Sequence, residues 1–390
     1  MIYFNNTATS YPKPKSVNEA VNEYLSNPPV HSARMGLDKD DDDAAYAARK
    51  GLNKLFNGED PDRFIFTSGS TESLNLAING LGLDGGHVVT TNIEHNSVIR
   101  PLNHMKNEGK IDITWVDCDK NGYVTPEDIE AAVKPNTKLI VVNHCSNVTG
   151  AVLDLKAISE VAHRHNLVFL VDASQSAGGL PIDIKNWKID LLAFTGHKSL
   201  YGIQGIGGMY IRKGIDLKPL IVGGTGVKSE VLVQPEGMPI FYEAGTPNTP
   251  GIVSLAAGVK FVLEESVKKI HDRKAEMILK MMNAFDDYPE VEIYTSTENN
   301  SLSNFCFNVN GMVPEEVGYF LDESAEIVIR SGLHCAPLLL PALGVYPWGT
   351  VRASPSYFST DEEVDLFIVT IKDAIDVIVR RGKGYSKVAQ

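Results

Sequence analysis

Residues 167–198 read LVFLVDASQSAGGLPIDIKNWKIDLLAFTGHK, and the fold turns on this stretch. Leu167 to Val171 is an unbroken apolar run closed by Asp172. Leu191 to Phe194 is a second run, closed by Thr195, Gly196, His197 and Lys198. Short apolar runs without alternation predict strands covered on both faces, the condition of a parallel sheet flanked by helices. In such sheets ligands bind beyond the carboxyl ends of the strands, so Asp172, Gln175, His197 and Lys198 are expected at one mouth. A carboxylate that can pair with a protonated pyridine nitrogen and a lysine that can form an imine are what pyridoxal 5'-phosphate requires of a protein. Taken singly, Asp172 could cap a turn and Lys198 could be an ordinary surface lysine.

The order of the matches removes that ambiguity. Asp172-Ala-Ser-Gln175 followed by Thr195-Gly-His-Lys198 resembles the cofactor-binding signature of the class V aminotransferase superfamily, and especially its cysteine desulfurase branch. The resemblance runs from Tyr3 to the helix after Tyr357. It implies an α/β fold of the type I pyridoxal phosphate class, with a mostly parallel seven-stranded sheet in a large domain and a smaller α+β domain. Residues 13–250 are expected to form the large domain and residues 251–390, with 1–12, the small one.

Composition sets bounds. A chain of 390 residues exceeds the size at which one core keeps growing, so two lobes are expected. Hydrophobic residues at 43% and charged residues at 22% describe an ordinary globular protein, and a net charge of -13 speaks against a nucleic-acid surface. The start MIYFNNTATSYPKPK lacks a signal-peptide core and no segment has the apolar length of a membrane helix, so a cytoplasmic protein is expected. Cysteines 118, 145, 306 and 335 have neither CxxC nor zinc spacing and are read as free thiols, with no metal implied.

Along the chain, a helix is expected from Ser16 to Leu25, ended by Asn27-Pro28-Pro29. The acids from Asp38, and Asp40 to Asp43 in particular, lead into a helix with Ala44, Ala45, Ala48, Leu52 and Leu55 on its apolar side; acids there complement the helix dipole and need no calcium. Phe64 to Thr67 reads as a strand, Ser68 to Thr71 as a turn and Glu72 to Leu81 as a helix. This arrangement offers backbone amides and the hydroxyls of Ser70 and Thr71 to a phosphate, as the resemblance implies. His87 to Thr90, Asp112 to Val116 and Leu139 to Asn143 read as strands, and Leu155 to His165 as a crossover helix. Gly205 to Ile211 carries closely spaced glycines but runs turn then strand, which excludes a dinucleotide loop. Gly251 to His271 reads as one long helix bridging the lobes. In Ser303 to Val309, alternation puts Phe305, Phe307 and Val309 on one face and Cys306 on the other.

The resemblance assigns further roles. His95 matches a histidine that stacks on the pyridine ring and assists proton transfer, and Asn147 one that meets the cofactor and the substrate carboxylate. Thr246, in Glu243-Ala-Gly-Thr-Pro, matches a residue that reaches the partner's phosphate across a homodimer. Ile329-Arg-Ser-Gly-Leu-His-Cys-Ala-Pro337 resembles the Arg-x-Gly-His-His-Cys-Ala motif of group II desulfurases, in which Cys335 takes the sulfur. Leu333 departs from it by replacing the first histidine. His334 and Arg330 are surroundings that stabilise a thiolate. Arg352 and Arg330 are expected to bind the substrate, with Arg352 on its carboxylate. The implied activity converts L-cysteine to L-alanine with a persulfide on Cys335, which is passed to an acceptor protein. The rivals are an aminotransferase, a selenocysteine lyase, a cysteine sulfinate desulfinase and a non-catalytic sulfur-relay scaffold. The first three share the cofactor; an intact Lys198 and Asp172 argue against the scaffold.

Overall fold

The structure is a computed structural model that describes residues 1–27 and 43–380. The expected acids Asp38 and Asp40 to Asp42, and the prolines 28 and 29, lie outside the described residues. The strands in chain order are β1 (Ile2–Tyr3), β2 (Phe64–Thr67), β3 (Gly86–Thr91), β4 (Ile111–Val116), β5 (Thr137–Asn143), β6 (Val168–Asp172), β7 (Leu191–Thr195), β8 (Gly207–Ile211), β9 (Val291–Ile293), β10 (Phe305–Val309), β11 (Ile327–Val328) and β12 (Val351–Ala353).

Seven strands form one sheet in the order β2-β8-β7-β6-β5-β3-β4. Strands β3 to β7 are parallel to one another, and β8 is antiparallel to both β2 and β7. The apolar runs of β6 and β7 are buried on both faces, as their lack of alternation predicts. Two glycines explain how β8 fits between β2 and β7. A Cβ at Gly207 would stand 2.6 Å from Gly69 Cα, and one at Gly208 would stand 2.3 Å from Ile65 O. Those glycines therefore permit sheet packing and a close approach of the 68–71 turn.

A second core contains Ile2, Phe4, Met277 and Ile278 with Phe305, Phe307, Val317, Leu321, Val351, Phe367 and Ile371. Strands β12-β10-β9 form its antiparallel sheet, and β1 pairs with β11. Phe305 and Phe307 stack with centroids 4.6 Å apart on the inner face, as alternation requires. Cys306 points the other way, into the large core. The expected single helix over 251–271 is two helices, Thr249–Glu265 and Val267–Asn283. The break is at Ser266, whose φ is 73° and whose side chain accepts from Lys269 N, a serine N-cap that starts the second helix. Ile252, Leu255 and Val259 of the first helix pack in the large core, and Met277, Ile278 and Met281 of the second in the smaller one.

Two helix starts are capped by side chains. Asp43 accepts from Ala45 N and Tyr46 N at the start of the helix Ala44–Leu55, and Thr360 with Glu363 forms the capping box of the last long helix. In the first of these helices Arg49 is buried and donates from Nη2 to both carboxylate oxygens of Glu243, at 2.8 and 2.7 Å. Glu243 also accepts from Phe66 N, so a partly buried ion pair clamps the segment before Thr246 to β2.

Candidate active site

The carboxyl ends of β5, β6 and β7 open into a cleft of about 510 Å³, a size that suits a small cofactor with its substrate. Ser70, Thr71, His95, Asn147, Asp172, Gln175, Thr195, His197, Lys198, Arg330, Cys335 and Arg352 all line it. Thr246 does not. It lines a neighbouring hollow with Phe66, Tyr242 and Glu243, and the two cavities share Ser68 and Gly205.

Lys198 follows β7 in a turn closed by a hydrogen bond from Tyr201 N to Lys198 O. Burial pushes its amine down to about 8, with the Asp172 carboxylate opposing the shift. Asp172 ends β6, and its Oδ1 accepts from Ser174 N at 2.9 Å and from the Ser174 hydroxyl. These bonds hold the carboxylate at the floor of the cleft. The opening segment of the chain is pinned over the lysine turn, because His197 O accepts from Ser10 N at 3.0 Å and from Lys13 Nζ at 3.0 Å. Burial lowers the His197 imidazole to about 4, so at neutral pH it is uncharged.

Strand β2 leads through Ser68 and Gly69 into the helix Ser70–Gly80, which starts two residues earlier than its apolar pattern suggests. Glu72 accepts from Ser68 N at 2.8 Å and closes the turn. The first turn of this helix, with the hydroxyls of Ser70 and Thr71, faces the cleft as an anion cradle. Thr71 Oγ1 shares a hydrogen bond of 2.8 Å with Ser97 Oγ. Ser97 in turn sets His95, since its backbone N–H donates to His95 Nδ1 at 3.0 Å. With Nδ1 accepting, the neutral ring carries its hydrogen on Nε2. His95 is therefore both a helix N-cap and a cleft residue.

Cys335 sits between β11 and β12 on a loop anchored to the His95 turn by Asn96 N, which donates to Cys335 O at 2.8 Å. Arg330 Nη2 donates to Cys335 Sγ at 3.5 Å. A hydrogen bond from His95, assisted by Arg330, holds the thiol down at about 6, against burial. The expectation that His334 supports the thiolate is corrected. Its Nε2 meets Thr350 Oγ1 at 2.9 Å, it is buried, and burial drives it well below the usual histidine range, so it brings no positive charge. Leu333 points outward and is 53% exposed. The other thiols are inert by contrast: burial pushes Cys145 and Cys118 up to about 11 and Cys306 to about 12.

Arg352 lies within β12. It is buried, donates from Nη1 to Asn147 O at 2.6 Å and from Nη2 to Asn5 Oδ1 at 3.2 Å, and its Nε has no partner. Asn147 Oδ1 and His197 Nδ1 are also buried without a partner. Unpaired buried polar atoms are costly unless a ligand meets them, so this cleft is built for a polar occupant. Thr7, Ser97, Asn143 and Ser174 line the same cleft and were not anticipated. Ser174 is two residues from Asp172 and carried a local signal; the others arrive only through the fold. Cys145 also lines the cleft. Among the described residues no group of metal-binding side chains occurs and no helix is long and apolar enough to cross a membrane.

Residues 2–367 match the model of the family Aminotransferase class-V. The chain is 33% identical over 374 residues to a probable cysteine desulfurase of Methanothermobacter thermautotrophicus, covering 94% of this chain and 93% of the relative. It is 30% identical over 393 residues to the cysteine desulfurase IscS of Vibrio campbellii, covering 96% and 92%. A solved cysteine desulfurase from Thermococcus onnurineus superposes with a TM-score of 0.88 at 31% identity, covering 96% of this chain and 95% of that one. With the full length matched and the cleft in the position that the strand order demands, the chain belongs to the class V aminotransferase family, within its cysteine desulfurase branch.

Proposed function

We propose that this protein is a pyridoxal-phosphate-dependent cysteine desulfurase that converts L-cysteine to L-alanine and carries the sulfur as a persulfide on Cys335. The observation that carries this reading is a thiol held as thiolate beside a buried lysine and a buried aspartate in one cleft. A transaminase has no use for such a thiolate.

The residues present fit the cofactor. Lys198 would hold its aldehyde carbon, Asp172 would keep the pyridine nitrogen protonated, and Ser70, Thr71 and the helix N-terminus would take the phosphate. His95, Asn147, Gln175, Thr195 and His197 would complete the cradle. When bound, this cofactor draws electrons from the substrate Cα. Around it, Arg352 takes the substrate carboxylate, and Lys198, with an amine near 8, accepts and returns the Cα proton at neutral pH. The Cys335 thiolate attacks the substrate Sγ. An S–S bond forms as the Cβ–Sγ bond breaks, and the electron pair left on carbon takes a proton to yield alanine. Arg330 steadies the thiolate before attack.

Incubation with L-cysteine tests the reading by product. Alanine together with a protein-bound persulfide supports it; a keto acid with no alanine sinks it. The thiol supplies a second test. Alkylation of Cys335 by iodoacetamide is expected to follow a group titrating near 6, because the lowered thiol is thiolate above that pH and is lost below it. Cys118, Cys145 and Cys306 should stay unlabelled at pH 7, and His95→Ala should move the Cys335 midpoint upward. A Cys335 midpoint at an ordinary thiol value would remove the basis for the attack.

We extend the proposal to a cytoplasmic homodimer with shared sites. The four cysteines are free, which suits a reducing compartment. Ile221 lines the hollow that holds Thr246, and it is exposed, as are Val222, Leu232 and Val233, apolar side chains suited to a second copy. The expected light-scattering mass is twice that of the chain, and Thr246→Ala should weaken cofactor retention in the dimer. An active monomer at assay concentration would refute shared sites.

A further inference from the structure

Glu94 lies in the turn between β3 and the helix Asn96–Asn107, entirely shielded from solvent. Its Oε1 accepts from Thr91 Oγ1 at 2.6 Å and from Asn143 N at 3.0 Å. Its Oε2 has no partner. One residue of the cleft floor has the matching defect. Asn143 donates from Nδ2 to Ile93 O at 3.2 Å, which fixes the orientation of its amide, and its Oδ1 is buried with no donor. Asn143 ends β5 in register with Asp172 on β6 and lines the cleft.

An ionised Glu94 would leave a bare anionic oxygen in a dry site, with Asp172 as a like charge nearby. Both burial, the larger cause, and Asp172 push its carboxyl upward, to about 8. A neutral Glu94 carries one hydroxyl. Oε1 already receives two donors, so the hydrogen belongs on Oε2, and Asn143 Oδ1 is the acceptor that lacks one. We propose that Glu94 is a positioning residue, kept as a neutral carboxylic acid that donates from Oε2 to Asn143 Oδ1 and sets the floor of the cleft. Asp172 is then the single carboxylate charge there: among the described residues that line the cleft, no other acid occurs. The groups acting on Glu94 are Thr91 at the end of β3, Asn143 on β5 and the Asp172 carboxyl on β6. This inference does not depend on the desulfurase reading.

Glu94→Gln tests it, because the amide keeps the accepting oxygen and supplies an N–H to Asn143 without titrating. The carboxyl keeps its proton in the folded chain up to about 8 and loses it near 4.5 when unfolded. Between those values the folded state binds the extra proton, so the wild type loses stability as pH rises. Urea unfolding of the full chain should therefore give similar stabilities for wild type and Glu94→Gln near pH 5. Their unfolding constants should diverge by about tenfold per pH unit up to about pH 8, in favour of the amide, and then run parallel. An infrared difference spectrum between the two at pH 6 should contain the carbonyl stretch of a protonated carboxylic acid. Glu94→Ala, which leaves Asn143 Oδ1 bare, should bind pyridoxal phosphate more weakly, with Glu94→Gln restoring the affinity. A pH-independent stability difference, a carboxylate band in place of the acid band, failure of Glu94→Gln to fold, or no rescue by glutamine would each overturn the proposal.

Discussion

Cys335→Ala is expected to abolish alanine formation from L-cysteine, lowering turnover by roughly a thousandfold or more, as for loss of an attacking group. The substituted enzyme should keep its cofactor, because Lys198, Asp172 and the 68–71 turn do not depend on the thiol. It should lose the protein-bound persulfide completely. Stability should change by no more than about 1 kcal/mol, since the side chain is only partly buried and sits on a loop pinned through its backbone. Cys145→Ala and Cys306→Ala are the controls. Both thiols are fully protonated at neutral pH and should keep activity apart from packing losses. Alanine release from L-cysteine at an unchanged rate in Cys335→Ala would eliminate the desulfurase mechanism.

Lys198→Ala is expected to lose activity by roughly 10⁴-fold, the upper range for removal of an acid-base group, because one amine is asked both to hold the cofactor and to move the Cα proton. The yellow absorbance should change, and borohydride should no longer fix the cofactor to the protein. Lysines 13 and 274 make this a demanding test. Their amines are also lowered to about 8 by burial, and so are chemically able to react with an aldehyde. Position separates them: of the three only Lys198 lines the cleft, Lys13 is tied to His197 O and Ser10 Oγ, and Lys274 lines a much smaller hollow that Lys198 also borders. Peptide mapping that finds the fixed cofactor on Lys13 or Lys274 would displace the site.

The activity reading and the cleft also agree in what they leave to the substrate. Arg352 spends two of its donors on Asn147 O and Asn5 Oδ1 and retains an unpaired Nε. A carboxylate entering beside it would meet a guanidinium already fixed in orientation, which lowers the ordering cost of binding. The same logic applies to Asn147 and His197, whose unpaired atoms are held in place by their neighbours.

What the sequence alone determined is local in origin. The unbroken apolar runs of β5, β6 and β7 announced buried parallel strands, and the polar residues closing the last two, Asp172 and Thr195, fell at the mouth because chain direction and sheet geometry leave no other place. The caps at Asp43 and Thr360 and the inward face of β10 follow from spacing of a few residues. Three features were decided only in the tertiary structure. The partner of the Cys335 thiol is His95, distant in the chain and brought close when Asn96 N docks on the thiol loop, while the adjacent His334 turns away to Thr350. The helix break at Ser266 lies inside an apolar pattern that reads as continuous, and the change from one core to the other selects it. The state of Glu94 depends on its burial and on Asp172, two strands away in the sheet order. Periodicity and capping act over one or two turns, and sequence carries them; ionisation and side-chain pairing depend on which surfaces exclude water together, and only the folded chain sets that.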